Sequence, residues 1–140
     1  MSKSRELPEQ VALWWARALR APRTARRAVS DDPEGAASRA YYAAFYGVVA
    51  LFAFENRFFK KHSGVEAAVH RDLVRTKLWP PGLGRIYSDL AALRQAGDYG
   101  PVVSVTVAKA RRAIRDALRI LEAVRKVRPQ PLPRRPPKLP

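Results

Sequence analysis

The spacing of apolar and polar positions predicts an all-α protein built around one unusually apolar segment. From Ala36 to Phe54 the chain reads AASRAYYAAFYGVVALFAF, and only Ser38 and Arg39 interrupt it. A helix that is apolar nearly all round must be enclosed by others, so this stretch marks the centre of a bundle. Ala36, Ala40, Ala43, Ala44 and Gly47 let neighbouring backbones come close, while Tyr41, Tyr42, Phe45, Tyr46 and Phe52 supply bulk. The uncharged run from Ala40 to Phe54 has 15 residues, fewer than the ~20 that a bilayer requires, and no membrane contact is expected.

Four further helical segments flank this one. The first begins near Pro8 and carries Val11, Leu13, Trp14, Trp15, Ala18 and Leu19 at helical spacing, with a kink or stop expected at Pro22. Asp31 and Asp32 before Pro33 and Glu34 form an acidic cap for the central helix. Ser63 and Glu66, three apart, make a capping box, so the third helix should start at Ser63 and end before Pro80. The fourth runs from about Leu83 to Ala96, with Leu83, Ile86, Tyr87, Leu90 and Leu93 on one stripe. The last begins between Ser104 and Thr106 and stops before Pro129. Its stripe of Val107, Ala110, Ile114, Ala117, Leu121 and Val124 lies opposite Arg112, Arg115, Arg119 and Lys126. That cationic face reads either as a solvated surface or as a phosphate-contacting one. Residues 1–128 therefore read as one all-α bundle of five helical segments. Residues 129–140, with six prolines, form a disordered, extended basic tail that buries little.

Charge changes the picture more than composition does. The formal net charge is +15, and it sits at the two ends: residues 1–28 carry 7 basic and 2 acidic groups, residues 29–98 carry 9 and 8, and residues 99–140 carry 11 and 2. Clustered cations gain from counterion release, which favours a polyanionic partner, RNA or DNA before an acidic protein. There is no cysteine, and the opening MSKSRELPEQ lacks the apolar core of a signal peptide, so a cytoplasmic location is expected. No Gly-rich phosphate loop and no His-x-x-x-His is present, and the carboxylates are scattered, so neither a metal nor a cofactor is expected. His62 and His70 are the two side chains able to move protons near neutrality without perturbation.

The run ASRAYYAAFYGVVALF, the KKHSGV that follows it, the segment LGRIYSDLAALRQAGDYG and the final amphipathic helix together resemble the HEPN domain, over roughly residues 8–128. The resemblance is to the stand-alone bacterial and archaeal branch. It implies an up-and-down bundle of four to five helices that commonly dimerises across a cleft, binds or cleaves RNA, and often works beside a nucleotidyltransferase in a toxin and antitoxin pair. Active members carry Arg, four to six residues, then His where the fourth helix ends. Here the arginine is Arg94, and Tyr99, Gly100 and Pro101 occupy the positions open to the histidine. Arg94, Asp98 and Tyr99 stand in its place, as a phosphate-binding group or as an ion pair closing a helix. Arg57 and His62 also show the spacing, in the connection before the third helix, where Lys60 and Lys61 add charge. The expected function is RNA binding without an intact ribonuclease motif. The alternatives are a metal-independent endoribonuclease with a degenerate site, using Arg94 and Tyr99 or His62, and a non-catalytic interaction module for a nucleotidyltransferase.

Overall fold

In the computed structural model, residues 7–99 and 105–137 are described, the side chains of residues 96–99 excepted. Among the described residues there are five α-helices and no strand. They are α1 (Glu9–Ala28), α2 (Pro33–Ala53), α3 (His62–Ala68), α4 (Pro81–Tyr99) and α5 (Val107–Val127), and α3 continues directly into a π-helical turn, Val69–Val74. The all-α bundle expected from the sequence is the observed architecture, and α2 lies at its centre, touching each of the other four helices.

Helix α2 begins as its sequence directs. The Asp32 side chain accepts a hydrogen bond from the Gly35 N–H at 2.9 Å, and Pro33 takes the first helical position, where a missing donor costs nothing. Its small residues are enclosed: Ala36, Ala40, Ala43, Ala44 and Ala50 are fully buried. Gly47 is where the packing is tightest. A Cβ there would lie 2.6 Å from Leu121 Cδ2 on α5 and 3.6 Å from Trp15 on α1, so two helices cross α2 at a position without a side chain. Thr106 caps α5 by accepting from the Lys109 N–H at 3.1 Å.

Three expectations are corrected. Helix α1 does not stop at Pro22, which is buried within it together with Ala18, Ala21 and Ala25. Burial of that alanine face against α2 outweighs the roughly 3 kcal/mol a proline costs inside a helix. Helix α3 starts one residue early, at His62, with Lys61 as its N-cap and no side-chain capping bond. The capping box does not form because the Glu66 carboxylate is engaged elsewhere, accepting from Ser88 Oγ on α4 at 2.6 Å. The helix also widens at Val69, and α4 comes close to that turn through Gly84, where a Cβ would lie 2.7 Å from Val74 and 3.1 Å from the His70 ring.

The third correction concerns the proline-rich segment. It is extended, as its composition implies, but Leu132 within it is 1% exposed and belongs to the core. The Leu132 N–H donates to the Arg125 carbonyl at 3.1 Å, and Arg125 Nη1 donates to the Leu132 carbonyl at 3.2 Å. Trp15 Nε1 donates to the Pro133 carbonyl at 2.7 Å. Arg134 reaches Glu122 at 3.2 Å, and Arg128 lies 3.9 Å over the Phe54 ring. The segment is thus laid back over α1 and α5.

Gly47→Leu is expected to lower stability by about 1–3 kcal/mol through overpacking, and an unchanged thermal midpoint would reject the close approach. Leu132→Ala is expected to cost about 2–5 kcal/mol, as for other buried leucines. A denaturant titration giving the wild-type midpoint would show that Leu132 is not part of the core.

Candidate functional site

Three helices bring a group of rings and polar side chains together. Helix α2 presents Tyr41, Tyr42 and Phe45, α3 opens with His62, and α4 contributes Tyr87, Ser88 and Arg94. On α4, Tyr87 and Arg94 are two turns apart and share a face. His62 and Glu66, one turn apart on α3, likewise point the same way.

His62 is held mainly by rings. Its imidazole stacks on Phe45 at 4.4 Å and on Tyr41 at 5.7 Å, and meets Tyr42 edge-on at 5.6 Å. Its Nδ1 shares a 2.9 Å hydrogen bond with the Tyr41 hydroxyl. That bond can be made in two ways: Tyr41 donates to a bare Nδ1, or accepts from Nδ1–H and leaves Nε2 free to take a proton. The Arg94 guanidinium carbon lies 5.5 Å from the Tyr41 ring centre and 5.4 Å from that of Tyr42. Burial, and then the positive charge of Arg94, lower the pKa of His62 below its ordinary value of 6.5. The imidazole is therefore neutral at physiological pH.

The phenols are kept protonated. Burial pushes Tyr41 up to about 12, against the smaller opposing influences of Tyr87 and Arg94. Tyr87 is raised further, also by burial, with Tyr41 contributing. The buried Tyr87 hydroxyl makes no hydrogen bond of good geometry, although it lies near enough to Tyr41 for each to affect the other. Beneath this layer runs a second polar chain. Ser88 gives its one hydroxyl proton to Glu66 at 2.6 Å, so His70 Nε2, 2.8 Å from the same oxygen, is the donor in that contact. His70 thus carries its proton on Nε2 and serves to tie the π-helical turn to α4.

The structure separates some residues that are near in sequence and joins others that are distant. Arg57 does not join His62. It turns to Asp72 at 2.7 Å and packs over Phe52 and Phe59 at 4.7 and 5.6 Å, pinning the α2–α3 connection to the π-helical turn. Hydrogen bonds from Arg71 first, and from Arg57, hold the Asp72 carboxyl down at about 2. Lys60 and Lys61 are exposed in the same connection. Arg112, Arg115, Arg119 and Lys126 are exposed on α5, opposite its buried face. There Arg119 lies 3.7 Å from Asp116 and Lys126 lies 3.5 Å from Glu122. The side chains of Asp98 and Tyr99 lie outside the described residues.

Tyr41, Tyr42, Phe45, Glu66, Tyr87 and Ser88 are the members of this group that sequence reading missed as site residues. The tyrosines and Phe45 read as core bulk, and Glu66 as a cap. The one available signal was the spacing of His62, Glu66 and His70, four residues apart each time, which lines three polar groups along one side of a helix.

The protein is a small α-helical bundle with a cation and a neutral imidazole set among tyrosines. The family model for the HEPN domain matches residues 11–127. The chain is also 39% identical over 92 residues to a UPF0332 protein of Thermotoga maritima, an alignment covering 66% of this chain and 70% of that one. The chain belongs to the HEPN family. Among the described residues no helix is long and apolar enough to cross a membrane.

The His62 ring is expected to titrate below 6.5 when followed by proton NMR, and Arg94→Gln should move the midpoint upward without restoring it fully, since burial is the larger cause. Because the folded-state value is the lower one, the unfolded chain takes up this proton first, and His62 weakens the fold as pH falls below about 6.5. A midpoint insensitive to Arg94→Gln would separate the two groups.

Proposed function

We propose that this HEPN-family protein binds RNA at the junction of α2, α3 and α4, with Arg94 as the phosphate contact and the tyrosines as its aromatic surroundings. The observation that carries this reading is the position of the Arg94 guanidinium over Tyr41 and Tyr42 beside an uncharged His62. A guanidinium suits a phosphate oxygen, and flanking rings suit unstacked bases. The formal charge of +15 supplies long-range attraction. Arg57, Lys60 and Lys61 at one end, and Arg112, Arg115, Arg119 and Lys126 on α5, add weaker backbone contacts. In this reading Asp98 and Tyr99, at the end of α4, complete the site, and the protein works in the cytoplasm as a homodimer. It is the toxin-side member of a pair with a nucleotidyltransferase.

One observation favours a second reading, metal-independent RNA cleavage. A neutral imidazole bonded to Tyr41 is able to accept the proton of a ribose 2′-hydroxyl, and Arg94 beside it to stabilise the charge that develops on the phosphate. His62 would then replace the histidine absent after Arg94. A third role, as an interaction module for the nucleotidyltransferase alone, requires no RNA contact.

Purified protein incubated with total cellular RNA in chelator-containing buffer, beside Arg94→Ala and His62→Ala variants that keep the wild-type circular dichroism, tests all three. The expected result is intact RNA retained by the wild type and released by Arg94→Ala. Discrete cleavage lost in both variants would establish the nuclease instead, and intact, unretained RNA would leave the protein partner. Light scattering that gives a monomer at the working concentration would remove the dimer.

A further inference from the structure

A second group of cations lies away from His62, in a shallow cleft of about 240 Å³ between α1 and α2 lined by Arg17, Arg20, Ala21, Thr24, Arg39 and Tyr46. No carboxylate among the described residues lies within ion-pair distance of Arg17, Arg20 or Arg39, although ion pairs are common elsewhere on this surface. The cleft opens beside a row of partly exposed rings. Trp14 is 5.7 Å from Tyr46, and Tyr46 is 5.5 Å from Tyr42. A guanidinium caps each end of the row, Arg17 over Trp14 at 4.8 Å and Arg39 over Tyr42 at 4.9 Å. Arg39, Tyr42 and Tyr46 fall on one side of α2, at the three- and seven-residue spacing. Tyr42 is also the ring that Arg94 faces, so Arg39 and Arg94 are within about 10 Å of one another.

We infer that the α1–α2 cleft is a second phosphate-binding place, holding the backbone of a single-stranded RNA whose bases lie along Tyr46 and Tyr42 and whose path continues to Arg94. Like charges held close without counter-charges are relieved by an anion, and a row of rings between them matches the alternation of phosphate and base in an unpaired strand. Apolar protein surface would instead have to desolvate three guanidinium groups with no acid to meet them. The inference rests on the RNA-binding reading, and one experiment separates the two.

The test is fluorescence anisotropy with a labelled oligouridylate at several salt concentrations. Each phosphate contact with a single strand contributes about 0.7 to the slope of log affinity against log salt. Arg17→Gln combined with Arg20→Gln should therefore lower the slope by roughly 1.4, and Arg94→Gln by about 0.7. Tyr46→Leu should weaken binding about tenfold with the slope unchanged. Arg75→Gln combined with Arg85→Gln removes the same charge from exposed positions elsewhere and should change the slope little. A loss confined to Arg94→Gln would overturn the cleft and keep the α2–α3–α4 site. A loss in the cleft variant alone would support the cleft and overturn that site. Equal loss in the Arg75 and Arg85 variant would reduce the cleft to general charge, and a wild type that fails to bind would overturn both readings. Unaltered RNA binding with a changed molecular mass in the cleft variant would assign the surface to a second copy of the chain.

Discussion

Everything in this bundle is placed by how closely its neighbours can approach α2. The alanines at positions 36, 40, 43, 44 and 50 and the glycine at 47 are buried with little side-chain volume, and at Gly47 Leu121 of α5 and Trp15 of α1 fill the space so made. Dense contact between backbones is what an otherwise unremarkable set of aliphatic residues needs to reach interior packing density. It has a second effect. Once α2 is gripped through its small residues, its large ones, Tyr41, Tyr42 and Phe45, are held at fixed orientation on the remaining side, where α3 and α4 arrive with His62 and Arg94. The site is the face of α2 whose occupants are bulky and, in the tyrosines, polar at one end, with Tyr41 buried and Tyr42 and Phe45 partly exposed.

The electrostatics follow from that geometry. Rings around His62 exclude water without offering a charge partner, so burial and Arg94 act in the same direction and keep the imidazole neutral. The same burial keeps the Tyr41 proton in place at any physiological pH. A neutral base, a neutral acid and a permanent cation lie side by side, and the guanidinium faces the π electrons of two tyrosine rings. The Glu66 carboxylate adds a smaller upward push on Tyr41 and Tyr87, and its chain with Ser88 and His70 fixes α3 and the π-helical turn to α4.

Periodicity and caps made the helices legible. The apolar run of α2, the Asp32 cap and the Thr106 cap are local features, and local features carry their own structural consequences. The misreadings occur where a distant residue competes with a neighbour. Glu66 has a good local partner in the α3 N-terminus and takes Ser88 on α4 instead. Pro22 has a local reason to end α1 and is overruled by the alanines buried around it. Leu132 lies among prolines and charges that promise no core, and is buried by a surface made from α1 and α5. The candidate site obeys the same logic. Arg57 and His62 fit a spacing along the chain and part company in space, whereas Arg94 and His62 have no sequence relation and are joined by the packing of three helices.

The anchored segment after α5 also gives the protein a mechanical property. A pull applied beyond Pro137 is delivered first to the Arg134 contact with Glu122, then to the bond between Trp15 and the Pro133 carbonyl, and then to the buried Leu132. Those links run to α1 and α5 together, so the load is shared between two helices. The segment acts as a strain relief, so that whatever tugs on this end of the chain is resisted by the outer helices before it can disturb the faces of α2.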